Sequence, residues 1–173
     1  MLRDLKNTKE ALNKFAKYVV SQSKANLTRG NKNYKKDLHK SIKSELTVGP
    51  NSFGLGFIMN EYGIYQDKGV SGTEKKYNTK FSYRDKMPPI QPIADWAKFR
   101  RIRLRNEKGQ FAKGNYKTIG YLIARSIQRK GIKPSLFFTK PFEKAFQDLP
   151  EDLIEAFGLD LDMFIDLTLK DNR

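Results

Sequence analysis

No cysteine occurs among the 173 residues, which excludes disulfides, thiolate metal sites and cysteine nucleophiles. A single histidine, His39, rules out a histidine-rich metal cluster and leaves one imidazole for acid–base work. No apolar run approaches the roughly 18–20 residues that span a bilayer, and "MLRDLKNTKEALNKF" lacks the apolar centre of a signal peptide. The expected setting is therefore the cytoplasm, or something assembled there, with no membrane partner. Acidic side chains are also scarce: 19 Asp and Glu stand against 34 Lys and Arg, a net charge of +15 and a pI near 9.9. Such an excess favours polyanionic neighbours or an acidic protein face.

The charge is unevenly placed. Residues 1–49 carry 12 basic and 4 acidic side chains, a net of +8, and residues 50–97 carry 6 and 5. Residues 98–133 carry 12 basic and 1 acidic, a net of +11, whereas 143–173 carry 3 and 9, a net of −6. A basic middle followed by an acidic tail suits head-to-tail self-association beside a polyanion.

The length fits one α+β domain spanning 1–173. Asn7 with Glu10 three residues on reads as a capping box. Leu12, Phe15, Ala16, Val19, Val20 and Leu27 behind it recur at helical spacing, with lysines on the other face. "SIKSELTVG" and "FGLGFIMN", separated by "GPNS", read as a hairpin, and "EYGIYQDKG" as a third strand of an antiparallel meander. The polar run over about 70–88 is expected to be an exposed excursion. "MPPIQPIADWAKFRR" opens a second helix with Pro92 in its first turn, and Ile93, Trp96 and Ala97 as its buried side. "NYKTIGYLIARSIQRKG" is a third, with Ile119, Leu122, Ile123 and Ile127 on one face and Gly131 at its end. An acidic C-terminal helix covers about 151–170. The small antiparallel sheet is thus packed by a long N-terminal helix and further helices.

Catalytic readings fail on spacing. "IYQDKGVSGTEKK" has the glycines, hydroxyls and lysines of a phosphate loop. Yet Gly69 and Gly72 stand at the wrong separation, and Thr73 follows Gly72 where a lysine is needed, so the stretch reads as a turn. Glu61 and Asp67, six apart, do not converge. Asp160, Asp162 and Asp166 suggest a divalent-cation site, but Asp162 and Asp166, four apart, alternate with apolar residues as the solvated side of a helix does, and a cation site wants oxygens converging from a loop or several elements. His39 has Ser41 nearby but no acid to complete a relay. The sequon at Asn26 carries no meaning without a secretory signal. No cofactor, metal or catalytic group is called for, and the chain is expected not to be an enzyme.

A basic stripe is the stronger signal. Lys98, Arg100, Arg101, Arg103, Arg105, Lys108, Lys113 and Lys117 are interleaved with Trp96, Phe99 and Phe111. On an extended segment Arg101, Arg103 and Arg105 would share one face, opposite Ile102 and Leu104. Such a stripe tracks a phosphate backbone without reading bases, or else faces the acidic surface of a neighbouring copy.

The order of parts resembles the head–tail connector, or tail-completion, proteins of tailed bacteriophages. "SQSKANLTRGNKNYKKDLHKSI" is similar to that family's helix, loop and approach to the sheet at Leu38, Ser41 and Ile42. "YGIYQDKGVSGT" is similar to its signature strand through Tyr62, Tyr65, Asp67 and Gly69, with Asp67-Lys68 in place of the usual glutamate. "GIKPSLFFTKPFEKAF" resembles its closing aromatic–proline segment, and "PPIQPIADWAKFRR" through "IGYLIARSIQRKGIKP" resembles the insertion of longer members. The acidic C-terminal helix is longer than the family pattern. The resemblance implies a virion protein with no catalytic residues: a ring of identical subunits at the neck, between portal or connector and tail proteins, around the DNA channel. A non-specific nucleic-acid-binding module and a nuclease using Glu61, Asp67 or the C-terminal aspartates are the rival readings.

Overall fold

The computed structural model describes residues 5–32, 34–50 and 52–171, with side chains of the last helix described through 166. Met1–Asp4, which open the N-terminal stretch, and Asn51 of "GPNS" lie outside them. In chain order the elements are α1 (Lys6–Arg29), α2 (Asp37–Ser41), β1 (Lys43–Val48), β2 (Phe53–Ile58), α3 (Tyr62–Lys68), α4 (Ile90–Phe99), α5 (Tyr116–Lys130) and α6 (Thr139–Asp171). The fold is α+β. Where the sequence reads as one domain, the chain divides into two compact units. The first joins residues 1–60 to 136–173, and residues 61–135 form the second as an insertion between them.

The first unit is built from the apolar side of α1. Leu12, Phe15 and Val19 recur at helical spacing and are buried with Leu149 of α6. The β1–β2 hairpin lays Leu46, Phe53, Leu55 and Phe57 against that cluster. In β2 those residues alternate with the exposed Gly54, Gly56 and Ile58, as a half-buried strand requires. Its register pairs Leu46 with Leu55. Two strands alone are marginal in water; here edge-on aromatic contacts hold them, Phe57 lying 6.1 Å from Phe15 and 5.3 Å from Phe138 between ring centroids. Leu27, Leu38, Ile42 and Phe137 form a second cluster at the other end of α1.

The expected third strand is instead helix α3, so the sheet is a two-stranded hairpin and not a meander. Tyr, Ile and Tyr favour a strand locally, but the buried residues of this stretch are Gly63 and Asp67, four apart as one face of a helix demands. Gly69, at φ +75°, ends it.

The expected C-terminal helix begins twelve residues earlier than its acidic run, as α6 continues through Pro150. Proline removes one backbone hydrogen bond there. The buried Leu149 and the half-buried Leu153, packed on the α1 cluster, hold the helix on either side of it.

Asp160 corrects the expected capping box. It is 5% exposed, and its carboxylate accepts hydrogen bonds from the backbone N–H groups of Asn7 and Thr8 at 2.9 Å each. The Thr8 hydroxyl and the Asn7 side-chain amide donate to it as well. The start of α1 has no cap from its own side chains, so a carboxylate from the packed α6 replaces the Asn7–Glu10 box. A negative charge at a helix N-terminus is favourable. Burial works against the charged carboxyl, but these four hydrogen bonds outweigh it and hold its pKa below the ordinary carboxylate value.

Candidate nucleic-acid interface

The inserted unit carries 18 basic and 6 acidic side chains, a net of +12, against 16 and 13, or +3, in the first unit. Its scaffold is the crossing of α4 and α5. Ala94 and Ala97 of α4 are buried, as are Ile119, Gly120 and Ala124 of α5. A Cβ on Gly120 would lie 2.9 Å from the Ala94 Cβ and 2.9 Å from the Ile90 carbonyl oxygen, so small residues set this close approach. The expected turn at Pro92 and the buried Ala97 are as read. Ile93 and Trp96 are half-buried, and Leu122 faces outward rather than into the core.

The stretch that looked like a phosphate loop has a structural use. Thr73 donates its N–H to the Gln128 carbonyl at 2.9 Å, and Glu74 and Lys75 donate theirs to that of Arg129. The backbone N–H groups that a phosphate loop would aim at an anion satisfy the C-terminal carbonyls of α5 instead. Gly72 allows it: a Cβ there would sit 2.1 Å from the Arg129 carbonyl oxygen. Gly131, at φ +72°, closes α5 from the other side. The excursion over 70–88 is exposed at 73–76 and 84–86, but Val70 and Ser71 are buried, and Val70 pairs with Ile132 and Ser71 with Ser82.

The basic stripe begins where α4 ends. Ile102 N–H bonds the Ala97 carbonyl and Arg101 N–H that of Lys98, while Arg101 takes φ +54°. This six-to-one and five-to-two pairing usually places glycine at the left-handed position; here Arg101 occupies it, and the chain turns out of the helix. Along 101–105 exposure then alternates. Arg101, Arg103 and Arg105 are exposed, Ile102 and Leu104 half-buried, as the period-two reading expects.

The segment doubles back as a small arm. Arg105 bridges to Phe111, Ala112 N–H bonds the Leu104 carbonyl, and Asn106 and Gln110 close the turn through backbone and side chain. Gly109, at φ +77°, makes the bend, and the Arg105 guanidinium ties to its carbonyl at 2.9 Å. Gly114 lets the returning strand cross Leu104, since a Cβ would meet that side chain at 2.3 Å.

At the arm's centre Phe111, 62% exposed, meets two guanidiniums, Arg103 at 5.4 Å and Arg105 at 4.7 Å from its ring centroid. Cation–π contact orients both side chains at the surface. Every residue from 105 to 115 is exposed, which places Lys108 and Lys113 in solvent on the same arm. Lys98 and Arg100 stay at the end of α4, and Lys117 in the first turn of α5. The stripe is thus brought together in its middle and spread at its ends. The clasp on Phe111 was not legible: it needs the hairpin register, which residue spacing does not supply.

The other candidates do not converge. Glu61 is exposed and Asp67 buried. Among the described residues no group of three or more His, Asp or Glu is placed to hold a metal ion. His39 sits in α2, its pKa lowered by burial and by Lys24 and Lys36, with no relay. No helix among the described residues is long and apolar enough to cross a membrane. The chain matches no family model, no curated protein sequence and no solved structure.

Proposed function

We propose that the chain is a structural virion protein of a tailed bacteriophage, a subunit of the head–tail connector or tail-completion ring around the DNA channel. On this reading its partners are further copies of itself, the portal or connector on one side and tail proteins on the other. Its place is the virion, assembled in the host cytoplasm, and it carries out no reaction. The arm is the observation that carries the reading. A +12 insertion presenting Arg103, Arg105, Lys108 and Lys113 around an exposed phenylalanine suits sequence-independent contact with passing duplex. The order of segments resembling the connector family supports the placement.

The test is immunogold electron microscopy of intact particles with antibody to this chain. Gold at the neck or tail base is the expected outcome. Particles without label from cells rich in the protein would overturn the reading. They would favour the second one, a free nucleic-acid-binding module, which the same arm supports.

A further inference from the structure

Helix α6 is apolar over more of its circumference than its own unit covers. Its buried line, Leu149, Leu153, Ala156 and Asp160, faces α1 and the hairpin. About 100° round the helix runs a second line, Ile154, Phe157, Leu161 and Ile165, spaced three and four apart. All four are exposed, Ile154 by 74%. The far rim of that line is acidic, with Glu151 and Asp162 both exposed. Four large apolar side chains in line, left in water, mark a docking surface.

Charge decides the occupant. Two copies of α6 laid face to face would set acid rim against acid rim, which costs free energy. The matching surface is the outward face of α5, where Tyr121 and Leu122 are 40% and 45% exposed and Lys117 and Arg125 flank them four residues apart. We propose that the exposed line of α6 docks on the Lys117–Tyr121–Leu122–Arg125 face of α5 in a second copy of the chain. The two surfaces differ, so the contact is heterologous and repeats, closing into a ring where the rotation allows. It rests on the reading of the chain as one of several like subunits.

Because the chain has no cysteine, two introduced thiols are unique. One batch carries Leu161→Cys, a second of different tag mass carries Tyr121→Cys; both positions are exposed, so each variant keeps its fold. Under oxidation the mixture should give a disulfide-linked heterodimer and neither batch a product alone. Adding Glu151→Lys and Asp162→Lys to the first batch should cut the yield about tenfold, near what two exposed ion pairs supply. Lys117→Glu with Arg125→Glu in the second should restore it.

No product in the mixture overturns the proposal, as does a homodimer from Leu161→Cys alone. An intrachain bond in a dilute chain carrying both Leu161→Cys and Tyr121→Cys overturns it too, since the apolar line of α6 would then be covered by its own chain. Particle labelling is independent. Label at the neck without the cross-link removes only this contact; the cross-link without label removes only the connector reading.

Discussion

The two units are held together by different means. In the first, large side chains do the work: Leu12, Phe15, Val19, Leu27, Leu38, Ile42, Phe137 and Leu149 are all buried. In the inserted unit only Val70 and Ile119 among the buried apolar residues exceed alanine in size. Close backbone approach stands in for side-chain volume there, at Gly69, Gly72, Gly120 and Gly131. A unit with a thin core keeps most of its long side chains on the surface, and in this one all 18 lysines and arginines are exposed, beside aromatics such as Phe99 and Phe111. The scaffold's information lies in its core, the inserted unit's in its exterior.

Substitutions that attack one kind of support and spare the other would break the comparison. Phe137→Ala should have the largest effect. Phe137 is 2% exposed at the centre of the Leu27–Leu38–Ile42 cluster, and its loss should cost about 3–5 kcal/mol, read as a shift in the urea midpoint. Hydrogen exchange should show the loss in α1, α2 and α6 first, with amides of α4 and α5 least affected.

Gly72→Ala is the counterpart. Its methyl would overlap the Arg129 carbonyl backbone, which does not yield as a flexible side chain would. Forcing it should cost about 3 kcal/mol, the upper range for overpacking. Exchange should rise at the end of α5 and at residues 70–83 while the phenylalanine cluster keeps its protection.

These two residues also show what was legible. Phe137 stands in an aromatic run, and α1, the hairpin, α4 and α5 all follow from apolar period and turn chemistry. Gly72 was correctly refused as part of a phosphate loop, but nothing in its neighbourhood in the chain says that it packs under Arg129, more than fifty residues away. α3 was misread because Tyr62, Ile64 and Tyr65 favour a strand and the inward residues are Gly63 and Asp67, a pair with no hydrophobic signal. The capping of α1 by Asp160 was not legible because its partners, Asn7 and Thr8, lie 153 and 152 residues away. In the arm the alternation of arginines was readable, and their contact with the Phe111 ring was not.

Asp160→Ala should cost about 2 kcal/mol, since it leaves the N–H groups of Asn7 and Thr8 without their acceptor. The pH dependence has a definite sign. The folded carboxyl has the lower pKa, so the native state binds fewer protons than the unfolded one. The stabilisation is complete above the ordinary carboxylate value and is lost as pH falls through the folded one. Urea titrations below pH 5 should show this acid loss in the wild type and a shallower one in Asp160→Asn.

The smallest expected effect has the opposite sign. Ser23 is fully buried in α1, and its hydroxyl has no hydrogen-bond partner among the described residues. Ser23→Ala should therefore raise stability by about 1 kcal/mol, measured as a later thermal midpoint. No gain would mean that the hydroxyl is satisfied in solution.

The division of labour between core and exterior is tested most directly at the arm. The measurement is duplex DNA affinity across a salt series for the wild type and for Arg103→Ala, Arg105→Ala, Lys108→Ala and Lys113→Ala combined. Four lost phosphate contacts should lower the slope of log affinity against log salt by about 3 to 4, equally for unrelated sequences, with the thermal midpoint unchanged. A variant that binds with the wild-type slope would contradict the account, because the charge of the inserted unit would then serve something other than nucleic acid.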